Sequence, residues 1–416
     1  MQLIARRLRV LPPSFFDPVA HSRKIHFITN GVFMTSIAGG DIHFLKLAEG
    51  AAQAGYALNF FGGHALQQVI RQYGVPGTIT LTDEAALPKV NTGAMAGQLA
   101  LFRDFFRRYR RTLKLLSHIA PDDLVYAVSD YWFDVLPALR SAARRKLMVL
   151  HMEAPSFRQI LWRARPDVDL LRLASLHYWA SQEYSLRRFC AQASAARHVL
   201  YLHPLMQPRL RRLGLQPQEM TLVSYGLEVP ATEAVPAQER NYDVVWIGRV
   251  HRQKGIEDLL DTLMFLQQQL PRLRAIFIGN VREALWPEIQ QRRLGEVVEF
   301  SGFVSEQEKI RLFKASRLFL MPSKHEGSPR VIGESIIAGT PVLAYDIPNY
   351  RPLFGDFVRY TPPFDRLAFQ QAALRELLAM RAGKNYLDQM NLASFKQENS
   401  WETTQERFLK ALESLA

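Results

Sequence analysis

Glu326 and Glu334, with seven residues between them, are the side chains best spaced to do chemistry in this sequence. A helix start lies between them. Ser328 reads as an N-cap and Pro329 as the first helical residue. Gly339 ends the helix, and 341–346 reads as a strand. Glu326 therefore falls in the loop before the helix, and Glu334 about one and a half turns inside it. A carboxylate on a strand-end loop, followed by the free N–H groups of a helix start, suits a ligand with hydroxyls at one end and phosphates in the middle. Sugar nucleotides have that shape. Two surface glutamates on an ordinary strand–loop–helix unit are the competing reading for the pair alone.

Further groups fit the same ligand. Gly248, Arg249, Lys254 and Gly255 follow a strand pattern and precede an amphipathic helix. Glycines at such a turn let a ligand approach the backbone, and Arg249 and Lys254 can bind a diphosphate. A Walker motif is excluded, since Gly-Lys-Ser/Thr is missing; a solvated basic loop is the alternative. Gly39 and Gly40, before the first long helix, offer backbone N–H groups to a second phosphate contact. Asp41 beside them repels phosphate unless it is spent on capping. Asp130 and His151 each end a strand in the first half; either positions an acceptor hydroxyl, or is a buried polar group already satisfied. Asp167 and Asp169 have the spacing of a metal-binding Asp-x-Asp, but they do not follow a buried strand, and no metal site is expected. The histidines show no zinc spacing.

These residues need strands and helices to position them, and the patterns supply both. Strands are expected at 24–29, 56–61, 124–129, 146–151 and 197–201, then at 243–248, 274–279, 297–303 and 318–322. Helices are expected from Asp41 to about Ala54, at 256–269 and at 305–316, the last opened by a capping box of Ser305 and Glu308. Alternating strands and helices in both halves describe two parallel, doubly wound sheets. Residues 227–240, rich in Pro, Ala and Glu, read as a linker. The domains are then 1–226 and 241–400, with a final helix at 401–416 that packs back on the first. Two such domains facing each other enclose a cleft.

Composition narrows the class. The 416 residues suffice for two full cores, and 48% hydrophobic with 22% charged residues describes a globular protein. One cysteine excludes an internal disulfide and fits a reducing compartment. Charged residues at the start argue against a signal peptide, and no apolar run approaches the ~20 residues of a membrane span. The net charge of +13 is uneven: residues 1–226 hold 28 Lys and Arg against 15 Asp and Glu, and residues 227–416 hold 24 against 24. One basic half beside a neutral one points to an anionic surface or acceptor on that side. Arg103, Arg107, Arg110, Arg111 and Lys114 share one face of a candidate helix, suited to an anionic membrane or, alternatively, to plain solvation.

Taken in order, the motifs resemble a retaining glycosyltransferase of family 4 with the two-domain GT-B fold. The resemblance rests on 246–249, Lys254-Gly255, 300–304, the stretch from Pro322 to Glu334, and 338–342; Val223 to Glu228 and Trp401 resemble the family's domain crossing and closing element. It implies that Arg249 and Lys254 hold the donor diphosphate and Glu334 the ribose hydroxyls. It places Glu326 on the transferred sugar, Gly39 and Gly40 on the phosphates, and Phe303 and Val304 beside the base. It implies no cofactor and no metal: Arg249 and Lys254 replace a cation, each lowering the barrier by ~2–4 kcal/mol. Two departures stand out. Ser328, Pro329 and Arg330 replace the usual step after Glu-Gly, so that Arg330 either adds a phosphate contact or faces solvent. The usual His-x-His of the first domain is absent.

The expected function is transfer of a hexose from a UDP- or GDP-sugar to a lipid-linked or glycolipid acceptor in surface polysaccharide biosynthesis. The expected location is cytoplasmic, on the inner face of the membrane; nothing indicates the oligomeric state. The rivals are a glycosyltransferase of the same fold with a small soluble acceptor, and a basic nucleic-acid-binding protein, which lacks a recognisable recognition module.

Overall fold

The computed structural model describes residues 24–32, 39–85, 95–162, 173–192 and 196–415. Two parallel sheets organise it. The first holds β1 (Lys24–Ile28), β2 (Ala57–Gly62), β3 (Thr78–Leu81), β4 (Leu124–Ala127), β5 (Arg145–Leu150), β6 (Ala196–Tyr201) and β7 (Met220–Leu222). Its order is β3-β2-β1-β4-β5-β6-β7. The second holds β8 (Tyr242–Ile247), β9 (Ala275–Ile278), β10 (Val298–Gly302), β11 (Ser316–Met321), β12 (Val342–Tyr345) and β13 (Arg359–Thr361), in the order β10-β9-β8-β11-β12-β13. Each sheet, parallel throughout and flanked by helices, makes a Rossmann-like domain.

Buried runs such as Val244, Val245 and Trp246 on β8 form near-continuous apolar strands, because helices cover both faces of each sheet. The edge strands β3, β7 and β13 escaped the sequence reading. They have only three or four residues each, and several of those are half-exposed, so no apolar run marks them.

The stretch read as a linker is partly helical. Val229–Ala234 forms a short helix with Pro230 in its first turn, and Thr232 is buried. Pro there pre-sets the helical φ, and Ala and Glu then propagate it. The Lys314 ammonium caps the segment by donating to the Val235 carbonyl. The final helix, Trp401–Glu413, lies on the first domain: Phe408, Ala411 and Leu412 join the core around β1 and β4. Leu227 N–H donates to the Asn399 carbonyl at 2.8 Å, so the two chain crossings between domains run side by side.

Other boundaries moved. The first long helix is Gly39–Gln53, so Gly39 and Gly40 form its first turn rather than a loop before it. Helix 330–337 begins one residue later than the sequence suggested. Pro329 is its N-cap, with no side-chain cap, and Ser328 lies outside. Ser305 caps helix Glu306–Lys314 by accepting from Glu308 N–H at 3.1 Å, while the Glu308 carboxylate turns to Arg311 instead of closing the box.

Candidate active site

The strand order of the second sheet reverses between β8 and β11. Chain leaving two such strands diverges to opposite faces and opens a crevice at their carboxyl ends, where α/β folds bind ligands. Both halves of the candidate site start there. After β8 the chain makes a tight turn, Arg252–Lys254, ended by Gly255 at φ 64°. A side chain at Gly255 would be strained by that φ, and its Cβ would run into the Pro322 carbonyl. After β11 the loop carries Glu326. Lys324 N–H donates to the Gln253 carbonyl at 2.7 Å and locks the two loops together.

The Lys254 ammonium meets the Glu326 carboxylate at 2.6 Å, with the two side chains only 13% and 9% exposed. Asn349 supports the loop by donating to the carbonyls of Glu326 at 2.5 Å and Gly327 at 3.1 Å. Glu334 sits on the following helix, held by Arg330 Nε at 2.7 Å and Lys309 Nζ at 2.9 Å. Burial alone would raise its pKa, but those two cations outweigh burial and hold it below the ordinary glutamate value. Glu334 is thus an anion with both oxygens oriented and lone pairs to spare for hydroxyl donors. Arg330 is half-buried against Glu334 rather than facing solvent. Arg249 is exposed and has no ion-pair partner among the described residues. Phe303 is 87% exposed just past β10, with Val304 beside it.

The first domain faces this loop. A Cβ at Gly327 would lie 3.3 Å from Met152 Cβ, and His203 Nε2 donates to the Asn349 carbonyl at 2.8 Å. Next to Met152 is His151, whose Nε2 donates to the Val128 carbonyl at 3.0 Å. That leaves Nδ1 as the acceptor, without a partner among the described residues. A Cβ at Gly40 would touch the His151 ring at 3.4 Å, and one at Gly39 would reach the Tyr225 hydroxyl at 3.6 Å. The first turn of helix 39–53 therefore closes on His151 and Tyr225. His43, one turn further, is fully buried and donates to the Val223 carbonyl at 3.0 Å. Burial, and then the neighbouring His151, push its pKa down to about 3, so it stays neutral.

Asp130 and His151 differ in their surroundings. Asp130 is 1% exposed and accepts from Gln182 at 2.7 Å and Tyr178 at 3.2 Å, the mark of a satisfied buried group, and burial raises its pKa. His151 instead lines a cavity at the carboxyl ends of β1 and β4. Asp167 and Asp169 lie outside the described residues. Among the described residues, no three His, Cys, Asp or Glu side chains gather as a metal-binding group, and no helix is long and apolar enough to cross a membrane.

Sequence reasoning missed Lys309, Asn349 and Asp134. Lys309 has one available signal: it follows the Ser305 cap by four residues, on a helix that leads into β11. Asn349 carries no local signal, because the carbonyls it binds lie 22 and 23 residues away, and Asp134 is joined to Asn30 across 104 residues.

Residues 231–388 match the family described as glycosyl transferases group 1. The stretch covers every second-sheet element of the candidate site. A GDP-mannose:cellobiosyl-diphosphopolyprenol alpha-mannosyltransferase from Xanthomonas campestris is 26% identical over 138 residues, 32% of this chain and 36% of that one. The matches to the first relatives span 35% to 40% of those proteins' lengths. Solved structures align almost throughout. Sucrose-phosphate synthase from Thermosynechococcus elongatus gives a TM-score of 0.69 at 17% identity, covering 94% of this chain and 99% of that one. Anabaena HepE, in complex with UDP and glucose, gives 0.63 at 17% identity, covering 94% and 100%. At such identities the likeness establishes the GT-B fold.

Proposed function

We propose that this protein is a retaining, metal-independent glycosyltransferase that moves a hexose from a UDP- or GDP-sugar to a lipid-linked or glycolipid acceptor. The observation that carries the reading is the set of charges at the β8/β11 crevice. An oriented anion, Glu334, lies in the first turns of the helix that follows the Glu326 loop, and Glu326 is paired with Lys254 across the crevice. The family match over residues 231–388 supports it, as do relatives and neighbours whose names include nucleotide sugars or UDP.

In this reading the ribose hydroxyls donate to Glu334, and the base lies by Phe303 and Val304. The diphosphate meets Arg249, Lys254 and the N–H groups of Gly39 and Gly40. As the bond from the sugar to the diphosphate breaks, negative charge grows on the leaving oxygen. Lys254 and Arg249 stabilise that charge, and preorganised donors of this kind contribute most in a site shielded from water. Glu326 orients the Lys254 ammonium before the donor arrives and accepts from hydroxyls of the transferred sugar. His151, with a fixed tautomer and a free Nδ1, accepts a hydrogen bond from the sugar or the acceptor.

The basic first half sits on the acceptor side. Arg103, Arg107, Arg110, Arg111 and Lys114 are all exposed on helix Met95–Leu115, while Arg108 turns inward to Asp83 and Asp104. In this reading the row draws the domain to anionic lipid on the inner face of the cytoplasmic membrane, where surface polysaccharide is assembled. The test is turnover with a panel of UDP- and GDP-sugars and lipid extracts as acceptors. Sugar transfer that persists in EDTA with retention at the anomeric carbon supports the reading; no transfer with any donor opposes it.

A further inference from the structure

The two domains also meet across the cleft, through a single histidine ring. His203 lies just past β6, and Asn349 lies in the turn after β12. His203 Nε2 donates to the Asn349 backbone carbonyl at 2.8 Å, joining strand-end loops of the two sheets. The His203 ring is buried and its tautomer is fixed. Its Nδ1 accepts from Leu205 N–H at 3.1 Å, so the proton sits on Nε2. Burial lowers its pKa, which keeps the ring neutral and Nδ1 open as an acceptor.

On the second-domain side the bond is passed on. The Asn349 side chain donates to the carbonyls of Glu326 and Gly327, at 2.5 and 3.1 Å. The Asn349 turn is itself pinned: Ile347 and Tyr350 are buried, and Tyr350 N–H donates to the Ile347 carbonyl at 3.1 Å. Whatever holds the Asn349 carbonyl therefore holds the Glu326 loop. Strands β5 and β6 pair side by side, so the chain leaving β6 at His203 runs beside the chain leaving β5 at His151 and Met152. Met152 lies against the same loop at Gly327. The loop is thus fixed to the first domain at two points, by the chain leaving two adjacent strands. Domains joined by adjacent chain crossings hinge unless their interface is large. A neutral histidine that donates from Nε2 alone suits a contact made on closing and broken on opening.

We propose that His203 is a positioning residue: it latches the closed domains through the Asn349 turn and so sets the Glu326 loop against the first domain. Resting on the glycosyltransferase reading, this latch makes the alignment of the Lys254–Glu326 pair with the first-domain half of the site depend on closure. Asn349 transmits the effect, because its side chain carries the link from His203 to Glu326. Both residues act through Glu326 rather than on substrate.

Hydrogen–deuterium exchange of the full chain, without ligand, reads the latch directly. His203→Ala should speed exchange over 323–328 by about threefold to tenfold, the size of one lost hydrogen bond. It should also loosen 204–206, where the cap is gone. Asn349→Ala, at a half-buried position, should speed 323–328 at least as much with 204–206 unchanged. Adding His203→Ala to it should change 323–328 no further, since the side chain that carries the link is already absent. His203→Gln, whose amide nitrogen replaces Nε2, should restore 323–328 but not 204–206. Unchanged exchange in β1 and β8 certifies the fold. Wild-type exchange over 323–328 in His203→Ala overturns the proposal, as do additive effects in the double variant or no rescue by His203→Gln. With UDP-glucose or GDP-mannose as donor, His203→Ala should lower kcat about tenfold with KM little changed; a loss carried by KM overturns the positioning role. The exchange readouts need no nucleotide. If they come out as expected and no UDP- or GDP-sugar is turned over, the glycosyltransferase reading falls and the latch stands.

Discussion

Lys254 and Glu326 should be energetically coupled even without ligand. On sequence alone, both residues sit on loops at strand ends, and replacing either should abolish turnover with the fold untouched. The structure changes the second half of that expectation. With the two groups 2.6 Å apart and about one-tenth exposed, removing one strands the other's charge in a poorly solvated crevice. Breaking a buried pair in this way costs ~3–5 kcal/mol, less where residual exposure lets water in, so about 3 kcal/mol is expected for Lys254→Met or Glu326→Gln. The double variant leaves no stranded ammonium or carboxylate. It should cost about 3–4 kcal/mol rather than the sum of ~6, a coupling of ~2–3 kcal/mol, as for a charge-assisted hydrogen bond. Urea denaturation of the four proteins, without ligand, measures the cycle by linear extrapolation. A coupling under ~0.5 kcal/mol would refute the pair as a preformed unit, because independent sites add to within that margin.

Four shorter predictions accompany it. Lys254→Met should lower kcat by ~10²–10³ with donor binding less affected, since its charge matters most as the leaving group forms, whereas Glu334→Ala should chiefly weaken nucleotide binding; steady-state kinetics separates the two. Gly255→Ala should destabilise far more than Gly339→Ala in parallel denaturation, because both have φ near +70° but only the Gly255 Cβ meets backbone, at Pro322. Asp134 should leave a mark in stability against pH. Burial raises its pKa to about 7, so between pH 4 and 7 the folded state keeps a proton that the unfolded chain has lost, and stability falls as pH rises through that window. Neutral His43 works in the opposite direction, so the readout is the difference between wild type and Asp134→Asn, which should narrow toward low pH. Finally, changing Arg103, Arg107, Arg110, Arg111 and Lys114 to Gln should release the protein from anionic liposomes, at about 1 kcal/mol per charge, without altering nucleotide binding. Continued flotation at physiological salt would make the row structural.

The parts of this structure that could be read from sequence are those set by local rules. Helix Ile256–Gln269 follows from Gly255 and an apolar period, and the order of strands and helices follows from buried runs bounded by glycine and proline. The motifs located Lys254, Glu326 and Glu334 because each sits at a fixed offset from a turn glycine or a helix start. What sequence did not show is long-range. The Glu326 carboxylate is held by a lysine 72 residues earlier, and the first-domain cavity takes its walls from segments that meet only after β1 and β4 pair. Ser328 misled because a Ser-Pro pair is a good local helix start, but Pro329 itself took the capping position.

The central claim is that the β8/β11 crevice binds a sugar nucleotide through Glu334 and the Lys254–Glu326 pair. Thermal unfolding of wild type and Glu334→Ala against UDP, GDP and their hexose conjugates tests it most directly, because a ligand that binds only the native state raises its melting point. A concentration-dependent rise is expected for one base in the wild type, and a rise at least several-fold weaker in apparent affinity for the variant. A flat response to every nucleotide, or equal stabilisation of both proteins, would contradict it.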